Sequence, residues 1–388
     1  MDITTLCIHG SKDITHTTGS VSVPIYQTAT FVHPAVGMST GYDYSRVKNP
    51  TREQLENIVA KLEGGIDALA FSSGMAAITA MMELFQIGDH IIASEDLYGG
   101  SIRLFHSISM KNGLTFDFTN MSEVSKVEEL IRPETKAIFI ETPSNPMMQV
   151  IDIRAIAEIA KRHSLLLIAD NTFLTPYFQN PLALGADLVV HSGTKYLSGH
   201  NDTLAGFLIT GSQELSEKLR YIYKTTGACL APFDSWLIIR GIKTLSIRME
   251  SQQENALRLA EWLLSNPKVK KVYYPGLTTH PDYEISKRQA RGFGAMISFE
   301  VDSEETAVRI LERVNLVLYA ESLGGVETLI TYPMLQTHAD VPEAERQAKG
   351  IHGRLLRLSV GLEAFQDLIE DLTQAFELSE PRKRGMAE

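Results

Sequence analysis

The chain has 388 residues, 44% apolar and 21% charged, with a formal net charge of −11 at pH 7. That length exceeds one compact core and predicts two or three domains. The acidic balance opposes nucleic-acid binding, and the one basic cluster, Arg382-Lys383-Arg384, reads as a frayed tail. Cys7 and Cys229 are too few and too far apart for a disulfide framework or a zinc site, and no HxxxH or HExxH spacing points to a metal. No apolar run approaches the roughly 18 residues a membrane span needs. The start, Met1-Asp2-Ile3-Thr4-Thr5, lacks the basic and apolar parts of a signal peptide, so a cytoplasmic location is expected.

Residues 1–50 are rich in Thr, Ser, Gly, Pro and Tyr and show no sustained helical period. So long an irregular arm in a compact protein is functional or packed on a partner. Thr51 reads as the N-cap of a helix with Leu55, Ile58, Val59 and Leu62 on one face. Strand-like and helical runs then alternate: 68–71 and 74–85, 90–94 and 102–110, 114–118 and 124–131, 137–141 and 153–163, then 165–169, 188–191 and 205–210. Such alternation specifies right-handed βαβ units around a mostly parallel sheet. Residues from about 234 to 265 read as one long helix leading to a second, smaller α/β domain that ends in a helix over 365–376. The expected division is an arm over 1–50, a large domain over 51–245 and a small C-terminal domain over 246–388.

Asp170 and Lys195 (in Ser192-Gly193-Thr194-Lys195-Tyr196) both follow short apolar strand-like runs. Ligands of open α/β sheets bind at such carboxyl ends. A carboxylate, and an amine flanked by hydroxyls, are what pyridoxal phosphate (PLP) needs: the lysine joins its aldehyde and the aspartate keeps the pyridine nitrogen protonated. Either residue alone would equally suit a solvated loop. Ser72-Ser73-Gly74-Met75 lies at a strand-to-helix turn whose free N–H groups favour a phosphate, although a plain helix cap has the same composition. Ser192 and Thr194 add hydroxyls, Tyr98 can stack on a flat ring or pack on its loop, and Asn145 can bond the ring's phenolic oxygen. Arg357, in a strand-like run, has the fork for a substrate carboxylate or an internal ion pair, and Ser322 can supply a second contact. Tyr42-Asp43-Tyr44-Ser45-Arg46 sits in the arm and must dock somewhere. No GxGxxG or GxSxG motif supports nicotinamide or elbow-serine chemistry.

Together, Tyr44-Ser45-Arg46 with Asn49-Pro50-Thr51-Arg52, the Ser72–Met75 turn, Asp170-Asn171-Thr172-Phe173 and His191-Ser192-Gly193-Thr194-Lys195-Tyr196 resemble the Cys/Met-metabolism family of fold-type I PLP enzymes. The resemblance runs over essentially the whole chain. It implies that Lys195 is the Schiff-base lysine and main acid/base, Asp170 the pyridinium partner and Tyr98 the stacking ring. Asn145 matches the residue beside the phenolic oxygen, and Gly74, Met75, Ser192 and Thr194 the phosphate cup. Tyr44 and Arg46 are implied to reach the phosphate of a neighbouring subunit, so a homo-oligomer, a dimer of dimers, is expected. Arg357 and Ser322 match the substrate-carboxylate binders.

Asp43 and Glu321 resemble an acidic pair that holds the distal amino group of a cystathionine-like ligand. Gly100 stands where methionine γ-lyases carry cysteine, which disfavours that activity. His200-Asn201-Asp202 and Leu230-Ala231-Pro232-Phe233-Asp234-Ser235-Trp236 are similar to bacterial synthase and thiolyase members. The resemblance therefore implies γ-replacement on an O-acylhomoserine by cysteine or sulfide. Elimination from cystathionine, as γ- or β-lyase, is the alternative.

Overall fold

Between residues 67 and 210, seven short apolar runs pair into one sheet: β1 (Asp67–Phe71), β2 (His90–Ser94), β3 (Thr115–Thr119), β4 (Thr135–Glu141), β5 (Leu166–Asp170), β6 (Leu188–Ser192) and β7 (Gly206–Thr210). The computed structural model describes residues 1–10, 19–339, 341 and 343–377, and the Arg382-Lys383-Arg384 cluster lies outside them. The strand order is β1-β7-β6-β5-β4-β2-β3. Pairings from β6 through β3 are parallel, as the alternating pattern predicts. β7 is the exception, antiparallel to both β6 and β1. Two reversals make β1 run the same way as β6, so the ends of β1, β4, β5 and β6 lie along one edge.

Both faces of the central strands are covered, which is why these are largely apolar, whereas edge strand β3 alternates and is only partly buried. Ile91, Ala93, Phe139 and Val190 pack under α3 (Gly74–Met82 in chain order after α1, Ile3–His9, and α2, Pro50–Glu63). Their neighbours Ile92, Ile138 and Ile140 pack on Ile153, Ile156 and Ile159 of the helix Ile153–Arg162.

The second sheet has the order β10-β11-β12-β9-β8, built from β8 (Val269–Tyr273), β9 (Met296–Val301), β10 (Leu318–Tyr319), β11 (Leu329–Thr331) and β12 (Leu355–Ser359). One continuous core links it to the first: Leu55 and Val59 of α2, Leu245, Met249 and Leu259 of the helix Leu245–Ser265, and Ile297, Phe299 and Leu358. Arg357 lies within fully buried β12, in register with Ser298 and Thr331. Among the described residues no helix is long and apolar enough to cross a membrane.

Several local readings change. The arm opens with α1, whose first turn is capped by Asp2 accepting the Thr4 N–H at 2.9 Å; seven residues are too few to show a period. The cap of α2 is Asn49, with Pro50 in the first turn, rather than Thr51. An Asn before a Pro is a legible start signal; Thr51 instead accepts the Tyr26 N–H and donates to the Pro24 carbonyl. Helix 102–110 is α4 (Gly99–Leu104) continued by a π-helical turn over Phe105–Ser109. The single helix over 234–265 is two, Pro232–Ile242 and Leu245–Ser265, broken at Lys243-Thr244.

β7 starts against the turn between β1 and α3, and there Gly206 permits a close backbone approach. A Cβ at Gly206 would lie 2.1 Å from the Ser73 carbonyl oxygen and 2.7 Å from the Gly74 Cα. We expect Gly206→Ala to displace that turn, lowering thermal stability by about 1–3 kcal/mol and weakening retention of a phosphate-bearing ligand. The control is Gly211→Ala, where a Cβ meets nothing within 4 Å and both properties should hold. Thermal melts with ligand titration would check this; equal behaviour of the two variants would contradict it.

Candidate active site

The strand ends and the small sheet enclose a cleft whose empty space, mouth included, is about 890 Å³. It is lined by Gly74, Met75, Tyr98, Asn145, Asp170, Ser192, Thr194, Lys195, Glu321, Ser322 and Arg357, eleven residues named from the sequence and separated by up to 283 positions. Ser73, Glu141, Thr172, Phe173, Leu204 and Thr337 also line it.

Each of these side chains is placed by its element. Ser73 caps α3 by accepting the Ala76 N–H at 3.0 Å, leaving the first-turn N–H groups of Gly74 and Met75 without intrahelical acceptors. A Cβ on Gly74 would sit 3.1–3.2 Å from Ser192, so backbone and hydroxyl approach closely here. Thr172 joins two strand ends: its hydroxyl donates to Asp170 Oδ1 at 2.6 Å and accepts the Ser192 N–H at 2.9 Å. Thr194 exchanges bonds with the Ala205 backbone on the β7 side. Tyr98 caps α4, its N–H held by Glu141 Oε2 at 2.8 Å. A Cβ at Gly100 would lie 2.4 Å from its ring, so a larger residue there would require the ring to shift.

Lys195 sits in a loop secured from behind. Arg248 donates to the Tyr196 and Gly241 carbonyls, both at 2.8 Å. The Lys195 amine donates to Ser322 Oγ at 2.8 Å, and Ser322 itself holds a left-handed backbone with φ 135°. A strained non-glycine residue is characteristic of functional sites. Arg357 is 1% exposed and donates to Asn145 Oδ1 at 2.7 Å, the Ser322 carbonyl at 3.1 Å and Thr331 Oγ1 at 3.2 Å, while its Nε has no partner. Among the described residues it forms no ion pair. The internal salt bridge that its sequence context allowed is therefore absent, and its charge faces the cleft.

Burial, reinforced by the Arg357 charge, pulls the Lys195 amine down to about 8. Burial pushes both Asp170 and Glu141 up; the Asp170 charge adds to the rise at Glu141, while Thr172 and His191 oppose that at Asp170. These two carboxyls are register partners at the ends of adjacent parallel strands. A protonated ring nitrogen opposite Asp170 would relieve that crowding. The donor set thus fits PLP: free helix N–H groups with Ser192 for its phosphate, Asp170 for its nitrogen, Asn145 Nδ2 for its phenolic oxygen and Lys195 for its aldehyde. Asp43, Tyr44 and Arg46 stand apart from this cleft on the same chain. Tyr44 and Arg46 are exposed, their side chains stacked with the guanidinium 5.5 Å from the ring centre, and Asp43 bonds Ser39 and His33.

Sequence reasoning did not single out Glu141, which ends the strand-like run 137–141, or Thr172, which stands in the Asp170–Phe173 motif. Thr337 comes from the loop after β11, which carries no local signal. Only a neutral amine attacks an aldehyde, so a depressed lysine is reactive at lower pH than the usual 10.5. The rate at which cofactor-free protein captures added PLP should therefore rise with pH through a midpoint near 8. Stopped-flow absorbance measures it, and a midpoint near 10 would contradict the environment described here.

Comparison with known proteins agrees with this geometry. The family model for Cys/Met metabolism PLP-dependent enzymes matches residues 4–377. The chain is 50% identical over 373 residues to the "Cystathionine gamma-lyase" of Bacillus subtilis (strain 168), covering 96% of this chain and 98% of that one. It is also 50% identical over 358 residues to the "Cystathionine gamma-synthase/O-acetylhomoserine (thiol)-lyase" of the same strain, covering 92% of each. The crystal structure of cystathionine gamma-lyase from Lactobacillus plantarum complexed with L-serine superposes with a TM-score of 0.95 at 45% identity, covering 97% of this chain and 98% of that one. The chain belongs to the Cys/Met metabolism family of PLP-dependent enzymes, has their fold-type I α/β architecture, and takes pyridoxal phosphate as its cofactor.

Proposed function

We propose that this enzyme catalyses γ-replacement on an O-acylhomoserine, with cysteine or sulfide as the incoming thiol, giving cystathionine or homocysteine. The observation that carries the reading is the polarity of the cleft. Unpaired Arg357 lies at its buried side, and the carboxylate of exposed Glu321 lies at its mouth beside Ser322. A ligand with an α-carboxylate at one end and an ammonium at the other, such as cystathionine, matches both charges.

Bound PLP supplies an aldehyde that links to amines and a ring that withdraws electrons from the substrate's Cα and Cβ. In this reading Arg357 and Ser322 grip the α-carboxylate, and the gripped carboxylate sets Cα beside the Lys195 amine. That amine, drawn down to about 8 by its surroundings and so neutral in a large fraction at that pH, removes the Cα proton and then one at Cβ. The γ-acyloxy group leaves as a carboxylate, the thiol sulfur gives up its proton and bonds Cγ in its place, and the Lys195 amine returns the protons to Cβ and Cα. Asp170 would hold the cofactor's ring nitrogen, and Tyr98 would stack on its ring.

Tyr44 and Arg46 belong to the same proposal as donors to the phosphate of a neighbouring subunit. Val21, Val32 and Val36 of the arm are 89% exposed or more on the isolated chain, and a second copy would cover them. The oligomer would be a dimer of dimers, working on amino acids in the cytoplasm. A second reading, elimination from cystathionine to a keto acid, ammonia and a thiol, is supported by the equal identity to the relative named as a γ-lyase. It uses the same residues.

Product analysis separates them. Purified protein with O-acetyl- or O-succinylhomoserine plus cysteine or sulfide should yield cystathionine or homocysteine. A keto acid, ammonia and cysteine from cystathionine alone, with little replacement, would select elimination. Lys195→Ala should abolish turnover and the visible absorbance. Glu321→Ala should raise KM for cysteine or cystathionine about three- to tenfold while sparing kcat, as expected for one exposed charged contact.

A further inference from the structure

Arg52 lies in the first turn of α2, 2% exposed, and spends its guanidinium on backbone carbonyls of other segments. Nη2 donates to the Ser45 carbonyl at 2.6 Å and the Arg46 carbonyl at 3.4 Å, and Nη1 to the Leu230 carbonyl at 3.1 Å. One helical turn on, Glu56 is also buried, its Oε1 3.8 Å from Arg52 Nε. Glu56 Oε1 accepts the Ala70 N–H at 3.0 Å, and Oε2 receives Arg220 Nη1 at 2.9 Å. Arg220 continues to Asp67, and the Tyr223 hydroxyl donates to the Ala70 carbonyl at 2.8 Å. Ala70 and Asp67 belong to β1, the strand that runs into the Ser72-Ser73-Gly74 turn. A chain of bonds thus leads from the backbone of Tyr44-Ser45-Arg46 to the strand that presents this chain's own phosphate turn.

We propose that Arg52 is a positioning residue for phosphate binding: it sets the backbone that carries Tyr44 and Arg46 and, through Glu56, ties it to β1. The proposal rests on the reading that this arm serves a neighbouring subunit's site. Fixing the carbonyls of residues 45 and 46 limits the directions in which the exposed Tyr44 and Arg46 side chains, the latter resting on the Lys224 carbonyl of its own chain, can turn toward a neighbouring subunit. A planar fork suits this task, because a lysine ammonium cannot hold the arm carbonyls and the Leu230 carbonyl in one rigid geometry. Since the same cluster holds β1, each chain's phosphate turn and the arm it lends are anchored together.

The test is a double-mutant cycle read by PLP dissociation from the assembled enzyme, using absorbance and fluorescence after dialysis. Arg52→Lys should weaken PLP retention about tenfold. In an Arg46→Ala background the same change should add less than a factor of about two, because both act through one contact. Multiplying losses, or wild-type retention in Arg52→Lys, would overturn the proposal. If Arg52→Lys fails to assemble, Arg52→Gln, which keeps an N–H donor, runs the same cycle with the same criteria. A separate experiment isolates the underlying reading: Arg46→Ala chains co-assembled with Lys195→Ala chains pair an intact lysine with an intact arm only across subunits. Recovered activity supports exchange of the arm. No recovery would sink that exchange, and the cycle would still decide whether Arg52 acts through Arg46.

Discussion

A guanidinium buried in a strand without a carboxylate of its own governs this cleft. Taking the Arg357 charge out of water is costly, and hydrogen bonds to Asn145, the Ser322 carbonyl and Thr331 offset only part of the cost. The remainder is a standing demand for an anion, which a substrate carboxylate meets. The same charge helps pull the Lys195 amine down to about 8, so recognition and reactivity are linked by one side chain. Ser322 completes that link, giving its carbonyl to the arginine and its hydroxyl to the lysine from a strained backbone.

The large sheet supplies the rest through the direction of its strands. Parallel pairing aligns the ends of β4, β5 and β6, and the reversed β7 lets β1 join the same edge on its far side. Acid, amine, hydroxyls and helix N-terminus then converge without any being adjacent in sequence. Gly206 and Gly100 mark two close approaches in the site, one of backbone to backbone and one of backbone to the Tyr98 ring. Arg248, in the helix Leu245–Ser265, completes the support by holding the loop behind Lys195.

Much of this was legible in the residues. Buried parallel strands leave continuous apolar runs, so the alternating order of the large sheet could be read directly. Motifs at the strand ends carry their own chemistry, and eleven of the fourteen residues proposed from them surround one cleft. The misreadings were local. Helix α1 is too short to show a period, a Pro after Asn49 outweighed Thr51 as a cap, and the break at Lys243-Thr244 has neither Pro nor Gly at it.

By itself the sequence determined most of the elements, the family and the types of group available for catalysis, because periodicity, turn chemistry and side-chain chemistry are local properties. Only the tertiary structure decided that Arg357 goes unpaired, that Lys195 meets Ser322 across 127 positions and that Asp170 stands beside Glu141. It also decided that Arg52 holds the arm carbonyls. Charge state and reach depend on burial and on neighbours brought from distant parts of the chain, and those exist only once the two sheets have packed together.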